Sequence, residues 1–445
     1  MMFTKEELIE ATKAKVLINK EENKKYSVST DSRTVDSSNV FLPLKGETFD
    51  GECFIEDVVK KGCNAYFTTK DVVIDGAELV LNVEDTKLAY LALAQFYRKK
   101  INPKTICVTG SSGKTTTKEM LYSVMSQEFI THKTFSNHNN EIGLCQTVLS
   151  MPKDTQVLIV EAGMRGLGEI ELISKYLQPD IGFITNCGTA HLGRLGSLEN
   201  IAKAKCEVVA GMSQDGIFVA KFQDITKNTV DFNGEKIFYT MDDVEILEEK
   251  QRYTKYRYKD EIFELNIEGL YNVENSLGVI EIAKKLGLNY EQIKTGLAAY
   301  HPIEKRWEIE NIGNLKFIND SYNANPESMT SSVMTFVSMY ENPVVVLGDM
   351  GELGNDEIFY HRQVGEFLSK LNKNVLYLCV GNLALEIAKV LTDNGIDAKT
   401  FSDNEEVSNY IVDYLNDSHT IFLKASRFMK FEEIIENVKR GTCKL

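Results

Sequence analysis

The chain has 445 residues, 43% of them hydrophobic and 26% charged, with a formal net charge of −15. That length exceeds one compact core and predicts two or three domains, and so ordinary a composition sets disorder aside. The acidic balance argues against a general nucleic-acid binder, which needs a basic surface, but leaves room for a local basic pocket that takes anionic small molecules.

Thr4 followed by Glu7 predicts a capping box ahead of a short helix. Val28-Ser29-Thr30-Asp31-Ser32-Arg33 comes next, then Val40-Phe41-Leu42-Pro43-Leu44, which reads as a strand running into the polar loop Lys45-Gly46-Glu47-Thr48-Phe49-Asp50-Gly51. From the residues alone, Ser32, Arg33, Lys45 and Asp50 fit a solvated surface as well as they fit a pocket. A helix over residues 88–100 leads to Asn102-Pro103, a domain boundary.

Thr105-Ile106-Cys107-Val108 predicts a short buried strand. It leads into Thr109-Gly110-Ser111-Ser112-Gly113-Lys114-Thr115-Thr116-Thr117, after which Met120, Leu121, Val124 and Met125 fall on one face of a helix. Strand, glycine turn, Gly-Lys-Thr and helix together predict a nucleoside triphosphate site. The glycines let backbone N–H groups approach phosphate oxygens, and the helix N-terminus adds its positive end. Lys114 reaches the outer phosphates and the Thr115 hydroxyl binds Mg²⁺. Val108 stands where the longer form of this loop has its first glycine, so Gly110 takes the turn. An ordinary glycine turn before a helix is the competing reading, and the agreement of the three features disfavours it.

From about residue 104 to 305 strands alternate with helices, the pattern of a parallel sheet. Val157-Leu158-Ile159-Val160 ends in Glu161, which sheet geometry places on the same rim as the phosphate loop. Glu161 is therefore a candidate Mg²⁺ ligand, against the blander reading of a loop carboxylate capping a backbone group. A third strand, 181–186, runs into Cys187-Gly188-Thr189-Ala190-His191, where His191 is equally a structural histidine or a site residue. Ser197 opens a helix whose two lysines, Lys203 and Lys205, are expected to face solvent.

Between about 222 and 268 short alternating segments, such as Tyr253-Thr254-Lys255-Tyr256-Arg257-Tyr258, predict an antiparallel insertion with one polar face. Single-strand nucleic-acid stacking is the weaker alternative there. Gly269-Leu270-Tyr271-Asn272 opens a helix to about residue 286. A further α/β unit begins near 306, with strands over 316–320, 343–347, 375–380 and 420–423. Gly348-Asp349-Met350-Gly351 and Lys424-Ala425-Ser426-Arg427 follow strands, so a cleft between two strand-end rims is the expected active site.

The eight cysteines, among them Cys443, are scattered without a Cys-x-x-Cys pair, which fits a reducing cytosol better than zinc or disulfides. The N-terminal residues lack an apolar signal core and no apolar run is long enough to span a bilayer. A cytoplasmic protein without membrane insertion is expected.

With these motifs in place, the chain resembles the Mur ligases of peptidoglycan synthesis over essentially its whole length. The segments that carry the resemblance are Asp31-Ser32-Arg33, Leu44-Lys45-Gly46-Glu47-Thr48-Phe49-Asp50-Gly51, the phosphate loop, Asn139-Asn140-Glu141-Ile142-Gly143 and Glu161-Ala162-Gly163-Met164. Thr185-Asn186 through His191-Leu192 and Ala202-Lys203-Ala204-Lys205 continue it. Asp320-Ser321-Tyr322-Asn323-Ala324-Asn325-Pro326 and Leu347-Gly348-Asp349-Met350-Gly351-Glu352-Leu353-Gly354 are the most specific, and point to the member that adds a dipeptide.

The resemblance implies an α/β protein of three domains. These are a small α/β N-terminal domain that binds a UDP-sugar (1–100), a central P-loop parallel-sheet ATPase domain (101–305) and a C-terminal Rossmann-like α/β ligase domain (306–445). It implies a monomer that uses ATP and two Mg²⁺ ions to join D-alanyl-D-alanine to UDP-N-acetylmuramoyl-tripeptide through an acyl phosphate, with no nucleic-acid partner. A carboxylate is a poor electrophile, and phosphorylation supplies its leaving group.

By resemblance, Lys114, His191 and Lys205 are catalytic. Gly110, Ser111, Ser112, Gly113, Lys114, Thr115 and Thr116 surround the phosphates, and Asn140, Asn275, Arg306 and Asp320 surround the adenosine. Thr115 and Glu161 match Mg²⁺ ligands, and His191 a ligand of the second Mg²⁺. Lys205 matches a lysine that the family carbamylates, which reverses the solvent-facing expectation. Ser32, Arg33, Lys45 and Gly46 match the UDP end, and Tyr322, Asn323, Asn325 and Ser426 the meeting point of dipeptide and acyl carbon. Three positions depart from the family pattern: Tyr271 for a usual histidine, Ala425 for a usual glycine and Cys145 for a common proline. The rival readings are another ligase of this mechanism, with a different muramyl peptide or a glutamate acceptor, and a P-loop nucleotide switch.

Overall fold

The computed structural model describes every residue except 21–22, 47, 304, 372–373 and 443–445, so Glu47 and Cys443 lie outside the described residues. Among the described residues the strands form four sheets. The first holds β1 (Phe3–Thr4), β2 (Lys15–Asn19), β3 (Lys25–Ser29), β4 (Asn39–Phe41), β5 (Ala65–Thr68) and β6 (Leu79–Asn82), in the order β1-β3-β4-β5-β6-β2. Its inner strands β3 to β6 run parallel and the two edges antiparallel. Thr4 caps the helix Lys5–Thr12 and Glu7 closes the capping box, as the spacing predicts.

The helix Thr86–Ile101 carries the first sheet into the second. Its buried Ala89, Leu93 and Tyr97 share one apolar cluster with Leu144, Cys145, Val148 and Met151, and the Tyr97 hydroxyl donates to the Met151 carbonyl at 2.8 Å. Cys145 is thus a small core residue inside the helix Glu141–Ser150, where a proline would clash with the preceding turn.

The second sheet is wholly parallel. It consists of β7 (Lys104–Thr109), β8 (Thr131–Lys133), β9 (Val157–Glu161), β10 (Ile181–Ile184), β11 (Ile217–Lys221) and β12 (Glu235–Tyr239), ordered β12-β11-β10-β7-β9-β8. The chain places β8 and β9 on one side of β7 and β10 to β12 on the other, so the order reverses at β7. A ligand crevice opens at such a point, outside the carboxyl ends of the strands. Met120, Leu121, Val124 and Met125 of the helix Lys114–Met125 are buried against this sheet, as their spacing requires.

The antiparallel insertion expected over 222–268 is shorter than that. β12 pairs parallel with β11 and belongs to the central sheet. The antiparallel sheet comprises β13 (Val244–Lys250), β14 (Tyr253–Tyr258) and β15 (Glu261–Leu265). Tyr256 and Tyr258 of β14 point into the core while Arg257 is exposed and paired with Glu245, so the tyrosines offer no stacking face to a nucleic acid.

The fourth sheet contains β16 (Glu308–Ile312), β17 (Leu315–Asn319), β18 (Pro343–Gly348), β19 (Leu376–Val380), β20 (Ala398–Phe401) and β21 (Thr420–Lys424) in the order β16-β17-β21-β18-β19-β20. Only the β16–β17 hairpin is antiparallel. Trp307 is buried between Tyr271 and Phe422, with ring centroids 6.3 and 5.4 Å away, and joins the helix Leu270–Lys285 to the fourth sheet. No helix among the described residues is long and apolar enough to cross a membrane.

Candidate active site

The carboxyl ends of β7, β9 and β10 and those of β17, β18 and β21 face one another across a single cavity of about 1960 Å³. Residues of the first sheet's loop, Lys45 and Gly46 among them, close one end of it.

The phosphate loop is built on close backbone approach. Gly110 has φ of +153° and a Cβ there would lie 1.8 Å from Thr185 Oγ1, so a side chain has no room. Thr185 Oγ1 donates to the Ser112 carbonyl at 2.6 Å, and Ser111 N–H and Ser112 N–H donate to the Asn186 carbonyl and Asn186 Oδ1 at 3.0 and 3.1 Å. Gly113 starts the helix with φ of +77° and stands against Asn275, which is buried. Lys114 Nζ donates to the Gly110 carbonyl at 2.7 Å and so curls over the loop, and burial lowers its pKa. Ser111, Thr116 and Arg306 line the same cavity.

Thr115 Oγ1 donates to Glu161 Oε2 at 2.9 Å, so the two residues read as metal ligands stand together, one in the first turn of the helix after β7 and the other at the end of the adjacent strand β9. Two partners of Glu161 went unread in the sequence. Lys118 Nζ, fully buried, lies 3.5 Å from Oε2, and Asn139 Nδ2 donates to Oε1 at 3.2 Å. Helical spacing carries the signal for Lys118, which sits one turn beyond Lys114 on the same face. A hydroxyl and a carboxylate facing a phosphate loop suit Mg²⁺, which takes few protein oxygens and leaves its other positions to phosphates and water. Among the described residues no three His, Cys, Asp or Glu side chains gather into a group that could hold a metal ion.

Lys203 and Lys205 part company. Lys203 is exposed, but Lys205 is 1% exposed, which corrects the expectation that both face solvent. Two residues on a helix are about 200° apart, so one must face the core when the other faces water. Burial, with a lesser push from the charge of Lys114, pulls the Lys205 pKa down to about 7. The groups that act on it are Lys114, Cys187 and Cys206, and none is a carboxylate.

His191 has φ of +67° at the start of the helix Leu192–Leu195. Its Nδ1 lies 2.5 Å from Glu352 Oε2, and the imidazole beside it holds the Glu352 carboxyl below the usual range. Glu352 comes from the fourth sheet's loop, so His191 is fixed from the far side of the cleft.

On that far side, Asp320 accepts from Lys424 Nζ at 2.6 Å and from the Ser332 hydroxyl at 2.9 Å. The Arg306 guanidinium stacks on the Tyr322 ring at 3.8 Å. Asn325 caps the helix Pro326–Met339, and Ser426 Oγ accepts from Gly351 N–H at 2.8 Å. Asn323 lines the cavity. Ala425 is buried with its Cβ toward Gly348, where a second Cβ would come within 2.7 Å, so the alanine is accommodated by the glycine opposite it.

Of the residues read as ligands of the UDP end, Lys45 and Gly46 line the cavity and Ser32 and Arg33 do not. The Arg33 side chain is 85% exposed and bonded to Asp31 at 2.8 Å, which keeps the Asp31 carboxyl low, at about 2. Asn140 lines the cavity, and its side chain caps the helix Glu141–Ser150.

Comparison with known proteins follows the same division. Residues 24–104 match the model of the Mur ligase family catalytic domain, 108–283 the Mur ligase middle domain and 305–427 the Mur ligase glutamate ligase domain. The chain is 33% identical over 426 residues to the UDP-N-acetylmuramoyl-tripeptide–D-alanyl-D-alanine ligase of Bacillus subtilis, covering 93% of each chain. The crystal structure of MurF from Acinetobacter baumannii superposes with a TM-score of 0.90 at 30% identity over 99% of both chains. MurF of Thermotoga maritima, solved in complex with ADP, has the same fold, with a TM-score of 0.84 at 24% identity over 94% of this chain and 98% of that one.

Proposed function

This chain belongs to the Mur ligase family, and we propose that it joins D-alanyl-D-alanine to the terminal carboxyl of UDP-N-acetylmuramoyl-tripeptide at the expense of ATP, in the cytoplasm. The observation that carries the proposal is the single cavity into which the phosphate loop and the strand ends of the fourth sheet both open. A nucleotide switch needs only the first of these, whereas a ligase must bring a phosphorylated carboxyl and an amine together. Residues 1–100, 101–305 and 306–445 then act as UDP-sugar, ATP and acceptor domains.

The tripeptide carboxylate attacks the γ-phosphate to form an acyl phosphate and ADP. The dipeptide amine then attacks the acyl carbon, and phosphate leaves. Lys114 and the backbone N–H groups at the start of the helix, residues 113–115, hold the β- and γ-phosphates and offset charge that builds during transfer, while the Ser111 and Ser112 N–H groups keep the loop on Asn186. Thr115 and Glu161 would hold Mg²⁺, and His191 and Lys205 a second. The metal ions would neutralise the phosphate oxygens as two anions approach. A lysine with its pKa near 7 is largely a free amine at pH 8, the form that adds carbon dioxide. This supports a carbamate at Lys205, which would turn a buried cation into an anionic metal ligand. Asn275, Arg306, Asn140 and Asp320 border the nucleotide, while Tyr322, Asn323, Asn325 and Ser426 face the incoming dipeptide.

The test is phosphate release from ATP and Mg²⁺ with the UDP-muramoyl tripeptide, with and without D-alanyl-D-alanine. Release that needs both, with a product heavier by the dipeptide, is expected. Release driven by a different amine would keep the ligase chemistry and change the acceptor, and release indifferent to any amine would overturn the reading.

A further inference from the structure

The segment between β10 and the helix Leu192–Leu195 bonds in two directions. Toward the phosphate loop, Asn186 receives the Ser111 and Ser112 N–H groups, and Ser111 Oγ both accepts from Gly188 N–H at 2.9 Å and donates to the Gly188 carbonyl at 3.0 Å. Toward the fourth-sheet domain, Thr189 N–H and Thr189 Oγ1 donate to the two carboxylate oxygens of Glu327 at 3.0 and 2.8 Å. Four residues on, Gly193 N–H donates to the Glu352 carbonyl at 2.9 Å. There the two backbones meet so closely that a Cβ on Gly193 would lie 2.3 Å from the Gly354 nitrogen. Thr189 is buried, and Glu327 stands at the first turn of the helix Pro326–Met339 and lines the cavity across from the phosphate loop.

We infer that Thr189 and Glu327 are positioning residues of a closure clamp, sealed by the Gly193–Gly354 contact, through which the phosphate loop holds the C-terminal domain over the nucleotide. The bidentate geometry uses both donors of one threonine and both oxygens of one carboxylate, which fixes the orientation of the domain as well as its distance. Because residues 186–188 bond directly to residues 111–112, through the Ser111 hydroxyl and the Asn186 carbonyl and amide oxygens, a shift of the phosphate loop passes to the clamp. The glycine pair allows a backbone contact that any side chain would wedge apart. The kinetic consequence of the clamp rests on the ligase reading above, but its effect on shape does not.

The experiment is small-angle scattering of the full chain without ligands, with melting temperatures and steady-state kinetics on the same variants. Glu327→Ala and Gly193→Ala are expected to enlarge the radius of gyration at unchanged melting temperature. Gly166→Ala, with nothing within 4 Å of the added carbon, keeps the parent value. Turnover falls roughly tenfold or more, the equivalent of one charge-assisted hydrogen bond, with the KM for ATP held. Glu327→Gln, whose amide can still accept the N–H and donate to the hydroxyl, retains most of the activity. If either alanine variant melts early, Thr189→Val removes one donor and takes its place. Parent dimensions in all the opened variants would overturn the clamp. A change confined to the KM for the dipeptide would also overturn it, and would assign Glu327 to the substrate ammonium.

Discussion

Two rims face each other across the cleft, and apart from the Lys118–Glu161 pair of the central rim they handle buried lysines in opposite ways. On the fourth-sheet rim the buried charges are answered by the protein itself. Lys424 pairs with Asp320, Asp320 also takes the Ser332 hydroxyl, and Asp349 accepts three backbone N–H groups at 2.7 to 3.2 Å. On the central rim Lys205 is buried beside another cation and two thiols, and Lys114 turns back on its own loop. A charge completed by its neighbours stabilises a scaffold. A charge buried without a counter-ion raises the energy of the folded chain and is retained where a ligand or a modification will meet it.

The contrast is broken most severely at the central rim. Lys114→Ala and Lys205→Ala should each lower the rate of phosphate release by roughly 10³ without loss of fold, the scale of removing a preorganised charge from a transition state. Added acetate or propionate should restore part of the Lys205→Ala activity, because it supplies the carboxylate that a carbamate would have provided. No rescue at any concentration would count against the carbamate. On the opposite rim the loss is one of stability. Lys424→Met leaves Asp320 buried without its cation and should lower unfolding stability by about 3 kcal/mol, read from the urea midpoint at constant m-value.

A fourth substitution, Lys205→Met, should have the opposite sign. The folded chain holds the Lys205 pKa near 7 while the unfolded chain keeps an ordinary lysine, so between these values the unfolded state binds the extra proton. The penalty at this position is therefore full below pH 7 and shrinks as pH rises toward about 10. In carbon-dioxide-free buffer Lys205→Met should raise the melting temperature at pH 6.5 and raise it less at pH 9. An equal shift at both would mean that the ammonium is not penalised by burial. The smallest effects are expected at Lys203 and Arg33. Both are exposed, and their alanine variants should stay within about 0.5 kcal/mol of the parent in stability.

Much of the site was legible in the chain because its signals are local. Gly110 to Thr115, the strand before them and the apolar face after them lie within one strand–turn–helix unit, and the rule that ligands gather at carboxyl ends places Glu161 on the rim of the phosphate loop. One helix end behaved in the same way, since Thr4 caps within three residues of its own position; Asn140 and Asn325 also cap helices but were not read as caps. The strands β2, β5, β6, β8 and β11 went unread, as did β16 and β20, whose burial patterns are half polar at sheet edges and carry little periodicity. β12 was assigned to the antiparallel insertion because its direction depends on β11, a partner it reaches only after a helix.

The sequence by itself therefore determined the elements, the phosphate loop and the α/β class, all of which follow from backbone preferences and apolar spacing over a few residues. Only the tertiary structure decided which of two neighbouring lysines is buried, that His191 answers to Glu352 and that Thr189 answers to Glu327. Those pairings join residues more than a hundred positions apart. They depend on how three sheets pack around one cavity, where desolvation and distance, rather than residue type, set what a side chain can do.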